Sequence, residues 1–587
     1  MLFGNNSMGA AMTIERREGS FLRGLFIGDL SFGRLCRIPP LSADRQETLS
    51  MILDSVRRFL AEHGEQFRNF DREGAQPDEY VAALAELGLF GLIVPEEHGG
   101  LGCSAREYAR VLEEISRADA STSLTLGAHS SIGMKGVLLF GTDEQKARYL
   151  PALATGEKRA AFCLTEAGSG SDAASITTRA QKQPDGSWLL TGEKIWITNG
   201  SFAELFTVFA RSGDTEGDIT AFIVERSFGG VSSGPKEDKM GIRASATCSV
   251  RFDSVRVPAE NVLGTPGGGF KIAMAILNNG RTGLGGGCVG AMKRCIELAT
   301  AHAVQRKQFG RPLSSFGLIQ DKLARMAVLC YATEAVVQRV AHLIDSVEED
   351  FSLEAAVSKV FGTESLWSVA DEALQIAGGN GFMREYPFER IVRDSRINRI
   401  FEGTNEILRL YVGLTGAKEA GSYLERIGHG VGAAFSEPSA AMSAITDYAS
   451  KRIVQYVPQM AQGGHLEEGE LAPLFRILAK YSAAFAQGVD ASVRRYRRGI
   501  AEEQLVVKRL ADCAIDLFVG WCVLSRVDAE LAAKAPTAPQ AVKLATIFIH
   551  DLKRRVNQNL RRITHNEDDN VRALAAAVIE RGGFLWD

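Results

Sequence analysis

The hydrophobic period of this chain changes twice, and a single layer of helices or a single sheet cannot satisfy both patterns. From residue 42 to about 160, apolar residues return at three- and four-residue steps (Leu49, Ile52, Leu53, Val56, Phe59, Leu60), the stripe of an amphipathic helix. Helical signals continue over 80–87, 105–115, 131–140 and 143–150, punctuated by Pro95 and Gly99-Gly100. The period then shortens. Runs at 188–191, 194–198, 205–209 and 219–224 are β-branched and aromatic, and Asp185-Gly186, Thr191-Gly192 and Asn199-Gly200 read as turns between them. Two more strands are expected at 248–252 and 255–257, which makes this stretch a β insert of barrel or sandwich type. Long helices return at 270–307, 316–345, 352–377 and 404–417. A last helical stretch has heptad-like segments at 471–500, 504–532 and 541–562, with Gly428 to Pro438 and Gly463-Gly464 read as linkers.

The expected architecture is therefore an α+β multidomain chain. It comprises an arm at 1–41, a helical domain at 42–160, a β domain at 161–269, a helical bundle at 270–427 and an additional helical domain at 428–587. A length of 587 residues exceeds what one core supports. A net charge of −4 offers no electrostatic footprint for nucleic acid. The nine cysteines form no CxxC pair, so neither a metal site nor a disulfide framework is expected. No run of about 18 apolar residues occurs, so no membrane span is expected. Residues 1–20 lack the apolar stretch of a signal peptide, and the mixed charges of Glu15, Arg16, Arg17 and Glu18 do not fit a transit peptide; the expectation is a cytoplasmic protein.

Two stretches match G-x-G-x-x-G/A. Gly168–Ala173 follows an expected strand but leads into a β-like run, and Gly285–Gly290 opens a helix without a strand before it. A dinucleotide fingerprint needs strand, turn and helix together, so neither is a Rossmann site. The first is better read as a loop whose backbone N–H groups and Ser171 hydroxyl can bind oxygen-rich groups, with Trp196 some thirty residues on as either core or cofactor wall. The turn Phe401-Glu402-Gly403-Thr404-Asn405-Glu406 sets a carboxylate just before a helix. By itself this is the common preference of Glu for the positive end of a helix dipole.

Taken together, these blocks resemble the acyl-CoA dehydrogenase family. They are Thr165-Glu166-x-Gly168-x-Gly170-Ser171-Asp172, Trp196 to Gly200, Arg306 to Gly310, Gln375 to Phe382 and Phe401 to Asn405, in family order across about 42–417. Thr125 to His129, Glu225 to Gly230, Lys239 to Ile242, Ile276 to Arg281 and Phe316 to Met326 resemble its very-long-chain branch. So do the arm at 20–28 and the extra helices, with Leu510 to Leu517 especially similar.

The resemblance implies FAD as cofactor and Glu402 as the base that removes the α-proton of an acyl-CoA, while the β-hydride passes to the flavin. The thioester carbonyl would be polarised by a flavin ribityl hydroxyl and the Glu402 N–H. Phe162, Leu164, Thr165, Gly170, Ser171, Trp196, Ile197 and Thr198 correspond to contacts with the flavin and its phosphates. Arg306, Phe309, Gln375, Gly378 and Gly379 correspond to contacts with the ADP half bound by a neighbouring subunit, and Thr404, Asn405 and Glu406 to the base side of the FAD. Ser171, Asn278, Arg281, Phe401 and Gly403 correspond to substrate contacts. Ala167 replaces a proline common in the family, and Glu406 a Gln or Asp. A Glu on this turn implies straight-chain acyl groups. The expected partners are electron-transfer flavoprotein and a second copy of the chain. The same fold also serves acyl-CoA oxidases and respiratory-complex assembly factors. A further expectation concerns 440–457, whose apolar residues recur at helical steps with Lys451 and Arg452 as the basic pair: peripheral attachment to the inner face of a membrane.

Overall fold

The computed structural model describes residues 20–29, 37–213, 218–346, 350–432 and 464–586. The expected order of helical, β and helical layers is present. Helix α1 (Phe21–Ile27) precedes a first layer of α2 (Ala43–Glu62), α3 (Phe67–Glu73), α4 (Asp78–Glu86), α5 (Ala105–Ala118), α6 (Ala120–Gly127), α7 (Lys135–Phe140) and α8 (Asp143–Ala154). Local chemistry sets their starts. Ser104 and Glu107 form a reciprocal capping box at α5, and Thr142 and Gln145 form another at α8. Between α6 and α7 the chain widens into a π-helical turn, 128–133, whose buried His129 accepts the Ala160 N–H at 2.9 Å and so ties the helical layer to the first strand.

The β layer is one eight-stranded sheet: β1 (Ala160–Cys163), β2 (Arg179–Lys182), β3 (Trp188–Thr198), β4 (Leu205–Arg211), β5 (Ile219–Glu225), β6 (Val231–Lys236), β7 (Thr247–Val257) and β8 (Val262–Leu263). Its order is β6-β7-β3-β2-β4-β5-β8, with β1 parallel to β4. One expected turn is absent. Thr191-Gly192 lies inside β3, where a Cβ on residue 192 would stand 2.4 Å from the Thr178 hydroxyl; the glycine admits a neighbouring segment and does not reverse the chain. The two strands expected at 248–257 are one, β7, irregular at Ser254 with φ +54°.

The second helical layer begins with the 37-residue α9 (Gly269–Gln305), followed by the hairpin β9 (Lys307–Gln308) and β10 (Arg311–Pro312). Then come α10 (Gly317–Asp345), α11 (Ser352–Ala377), α12 (Gly379–Phe382), α13 (Phe388–Arg396) and α14 (Asn405–Gly432). The glycines that imitated a nucleotide motif lie in the middle of α9. A Cβ at Gly286 would sit 2.4 Å from the Ala109 carbonyl oxygen, and one at Gly290 would sit 1.9 Å from that of Glu113. Glycine here lets α9 and α5 cross backbone to backbone, at a helix-propensity cost of about 1 kcal/mol each.

The C-terminal helices are α15 (Ala472–Tyr496), α16 (Gln504–Ala532), α17 (Ala538–Thr564) and α18 (Asp568–Arg581). They are not a separate globule. Leu478, Phe485, Leu510, Phe518 and Trp521 share one buried cluster with Val336, Leu353 and Val357 of α10 and α11, and with Phe21, Leu22, Leu25 and Phe26 of α1. Helix α10 is long and apolar enough to cross a membrane by composition, but 67% of its most apolar window is buried in this core. Of the stretch read as a linker at 428–438, residues 428–432 belong to α14, and the remainder lies outside the described residues with the segment 440–457. The eight described cysteines are buried thiols without disulfides, and no metal-ligating cluster occurs among the described residues.

Candidate active site

Glu402 lies in the turn between α13 and α14 with φ +55°, and Gly403 follows at φ +91°. A left-handed glutamate is an unfavourable conformation and needs support from its surroundings. Two buried cations provide that support. Lys359, fully buried on α11, donates to the Gly403 carbonyl and to Asn405 Oδ1, each at 2.8 Å. Arg281 on α9 donates to the Glu402 carbonyl at 3.3 Å and to Asn278 Oδ1 at 2.6 Å. Asn405 is itself fully buried, its amide donating to Thr363 at 3.0 Å and Glu364 at 2.9 Å. Thr404 accepts the Ile407 N–H at 3.2 Å and caps α14.

The backbone of this turn is thus fastened from below while its carboxylate is left alone. Glu402 Oε2 is sealed from solvent and has no hydrogen-bond partner. Burial pushes the Glu402 carboxyl above the ordinary carboxylate value, and the Arg281 and Lys359 cations pull part of that shift back. Burial likewise pushes Lys359 down to about 7, against the attraction of Glu402. A carboxylate with a raised pKa and a vacant oxygen is equipped to take a proton from something placed beside it.

The side chain stands in the lining of a cavity of about 4010 Å³. Its walls include Phe162, Leu164, Thr165, Gly170, Ser171, Trp196, Ile197, Thr198, Asn278, Arg281, Phe401, Glu402 and Gly403, so thirteen expected site residues converge from the β layer and the second helical layer. Trp196 is not core. It is 64% exposed, with φ +57°, at the irregularity in β3 between Lys194 and Ile197 that turns its ring into the cavity. The loop after β1 is held from beneath by a buried pair: Lys194 donates to Glu166 Oε1 at 2.7 Å and to the Leu164 carbonyl at 3.0 Å. Glu166 also accepts the Thr177 and Thr178 N–H groups at 2.6 and 3.0 Å. Although burial alone would raise its pKa, Lys194 and these donors hold Glu166 down at about 2. That clamp leaves Gly168, Gly170 and Ser171 exposed, while Ser169 is buried and donates to the Asp172 carbonyl.

The other expected residues lie elsewhere. Asn405 is sealed behind the base turn, committed to Lys359, Thr363 and Glu364, and Thr404, Asn405 and Glu406 do not line the cavity. Arg306 and Phe309 sit on the β9–β10 hairpin, where Phe309 is 93% exposed at φ +52°; Gln375, Gly378 and Gly379 are exposed at the end of α11. Sequence reasoning passed over Lys359, Glu166 and Lys194. The usable signal for Lys359 was a lone charge inside the otherwise small and apolar run Ala355-Ala356-Val357-Ser358-Lys359-Val360-Phe361.

Comparison with known proteins agrees with this geometry. Family models for the acyl-CoA dehydrogenase N-terminal, middle and C-terminal domains match residues 46–157, 161–255 and 267–415, and the ACAD9/ACADV C-terminal domain matches 470–584. The very long-chain specific acyl-CoA dehydrogenase of Bos taurus mitochondria is 43% identical over 98% of this chain and 90% of its own length. A probable acyl-CoA dehydrogenase of Bacillus subtilis is 37% identical over 94% and 93%. Among solved structures, an acyl-CoA dehydrogenase complexed with FAD from Bacillus anthracis superposes with a TM-score of 0.79 at 33% identity, covering 94% of each chain. Butyryl-CoA dehydrogenase from Megasphaera elsdenii, at 36% identity and a TM-score of 0.61, covers 64% of this chain and 99% of its own. From the first helical layer to the C-terminal helices, this chain belongs to the acyl-CoA dehydrogenase family.

Proposed function

We propose that this FAD-dependent acyl-CoA dehydrogenase acts on straight long- and very-long-chain acyl-CoA, with Glu402 as the base that removes the α-proton. The observation that carries this reading is the Glu402 carboxylate, which has no hydrogen-bond partner and stands in the lining of a cavity that Trp196 and the 164–171 loop also line. These residues fit a flavin: an open indole face for its rings, and projecting N–H and hydroxyl donors for its polar edge and phosphates. Bound FAD supplies the acceptor for the hydride that leaves the β-carbon. The α-proton goes to the Glu402 carboxylate, and the Glu402 N–H is available to the thioester oxygen as charge develops there. Arg281 and Lys359 hold the turn in register. Desolvation of the carboxylate sets its raised pKa.

Chain length is supported by the arm of the cavity that follows α9. Arg281, Leu284, Gly287, Ala291 and Arg294 line it at helical steps, opposite Leu124, Gly127 and Ala128. From Arg281 to Arg294 this is ~20 Å at about 1.5 Å per residue. With C–C bonds near 1.5 Å, a zigzag chain advances roughly 1.3 Å per carbon, so the arm holds about fifteen carbons. Its distal end meets the ion cluster of Arg117, Glu297 and Arg294.

Replacing Glu402 by Gln should abolish enoyl-CoA formation while the protein stays yellow; unimpaired turnover would move the base elsewhere. Electron-transfer flavoprotein is the proposed acceptor, and near-stoichiometric hydrogen peroxide without an acceptor protein would instead place the chain with the oxidases. The exposed Arg306, Phe309 and Gln375–Gly379 surface is proposed to complete the FAD site of a second copy, which makes the active form a homodimer. Release of flavin with loss of the dimer on dilution, followed by sedimentation, tests this. The proposed location is cytoplasmic, peripheral to the inner membrane face. Cutting the chain near 430 would uncover the shared core, so liposome co-sedimentation should use full-length variants altered within 440–457.

A further inference from the structure

The cavity has a second arm, of different chemistry from the first. It leaves the base turn along one face of α14, past Ile407, Tyr411, Leu414 and Lys418, and ends against Arg497 and Arg498 in the turns after α15. By helix rise, Ile407 to Lys418 spans ~17 Å. The arm along α9 is walled by glycine, alanine and leucine between Arg281 and Arg294; this one turns polar and charged with distance from Glu402, Lys418, Arg494, Arg497 and Arg498 standing among Glu419, Glu425 and Glu502. Arg497 and Arg498 are exposed and have no hydrogen-bond or ion-pair partner among the described residues. Arg497 also caps α15 at φ +49° and ψ −129°, a conformation that L side chains rarely adopt. The backbone there is turned sharply out of the helix, and strain of this kind collects where a side chain must be aimed.

We propose that Arg497 and Arg498 bind the phosphates at the nucleotide end of coenzyme A, so that the C-terminal helices contribute cations to the substrate site. The inference rests on the acyl-CoA reading of the cavity. A thioester held at Glu402 with its tail along α9 leaves its pantetheine to run out along α14. The strongly anionic part of the molecule is the phosphorylated nucleotide beyond that pantetheine. Guanidinium forks match phosphate oxygens in pairs, and two arginines at the mouth of a cleft also draw an anion in before it docks.

The test compares full-length holoenzyme, wild type and Arg497→Gln/Arg498→Gln, on three thioesters of one long acyl chain: with coenzyme A, with 3′-dephospho-coenzyme A and with pantetheine. The expected result is a KM for the coenzyme A thioester raised about ten-fold in the variant at unchanged kcat, as for the loss of charge-assisted hydrogen bonds. The KM for the pantetheine thioester should be unchanged. An equal rise for the pantetheine thioester would mark a structural effect and overturn the proposal. So would an unchanged KM accompanied by weaker binding to anionic phospholipid vesicles, which would assign the arginines to lipid headgroups. Titration of the wild type needs no variant: equal dissociation constants for coenzyme A and pantetheine would also overturn it. Failure to form enoyl product from any thioester would instead strike the reaction itself.

Discussion

The wall of the α9 arm offers a decisive perturbation, Gly287→Leu. A Cβ at residue 287 meets only side-chain ends, the Ser116 hydroxyl at 2.9 Å and the Ser123 hydroxyl at 3.7 Å, both lining the same cavity. Leucine can therefore enter, at an overpacking cost of about 1–3 kcal/mol that a better helix residue partly offsets. Gly287 is six residues beyond Arg281, or ~9 Å along the axis, which leaves room for about seven carbons in place of fifteen. Excluding eight methylenes at about 0.8 kcal/mol each forfeits ~6 kcal/mol of tail burial. If two thirds of that is recovered by the tail folding back, a loss of ~2 kcal/mol remains, about 30-fold in kcat/KM. The assay is a kcat/KM profile across acyl-CoA lengths with flavin content checked by absorbance. The optimum should move to about eight carbons while short substrates keep their rate. An unchanged profile in a flavin-replete variant would refute the assignment of this arm to the tail. Gly286→Ala is the control: its Cβ meets the Ala109 carbonyl at 2.4 Å, so it should lower Tm without moving the profile.

Three further outcomes follow from buried charges. Lys359→Met removes a cation that lowers the Glu402 pKa and two bonds that hold the turn; the acidic limb of kcat/KM against pH, already above the ordinary carboxylate value, should move higher and kcat should fall about 100-fold, as for a misplaced catalytic group. Lys194→Met leaves Glu166 buried and uncompensated, which should cost about 3–5 kcal/mol and release FAD at lower urea concentrations, read by flavin fluorescence. Glu354, which accepts from Ser20 and from the Leu22 N–H, is pushed by burial from 4.5 to about 7. Its folded pKa is raised, so its contribution is complete below about 4.5 and is lost as pH rises through about 7. Protection of residues 20–27 in hydrogen exchange should fall across that window, and Glu354→Gln should flatten the dependence.

Long periodic segments were legible because side-chain pattern and backbone period agree: α9, α10, α11 and α16 lie within a few residues of their expected bounds. The β layer was recognised as a layer, yet Thr191-Gly192 misread as a turn because glycine serves close approach as readily as chain reversal. Helix α18 and strands β2 and β6 escaped, being short or weakly apolar. The base and the flavin wall were found through motif order, but their supports were not. Lys359 and Lys194 act through burial and distance, and a lysine inside an apolar run carries no mark of the partner that waits across the fold. The cover that α15–α17 lay over α10 and α11 was likewise invisible, since apolar faces do not name their counterparts.

That shared core also sets the order in which the molecule can be completed. Phe26 of the arm packs edge-on against Phe485 with ring centroids 5.0 Å apart, and its ring occupies the space above Gly416. The two phenylalanines are separated by about 460 residues, which at about 5–20 residues per second is roughly half a minute to a minute and a half of synthesis. Through that interval Phe21, Leu22, Leu25 and Phe26 have no permanent home. Among the described helices the first to be synthesised is among the last to reach its place, so the nascent chain carries an adhesive helix that must be sheltered until α15 and α16 arrive.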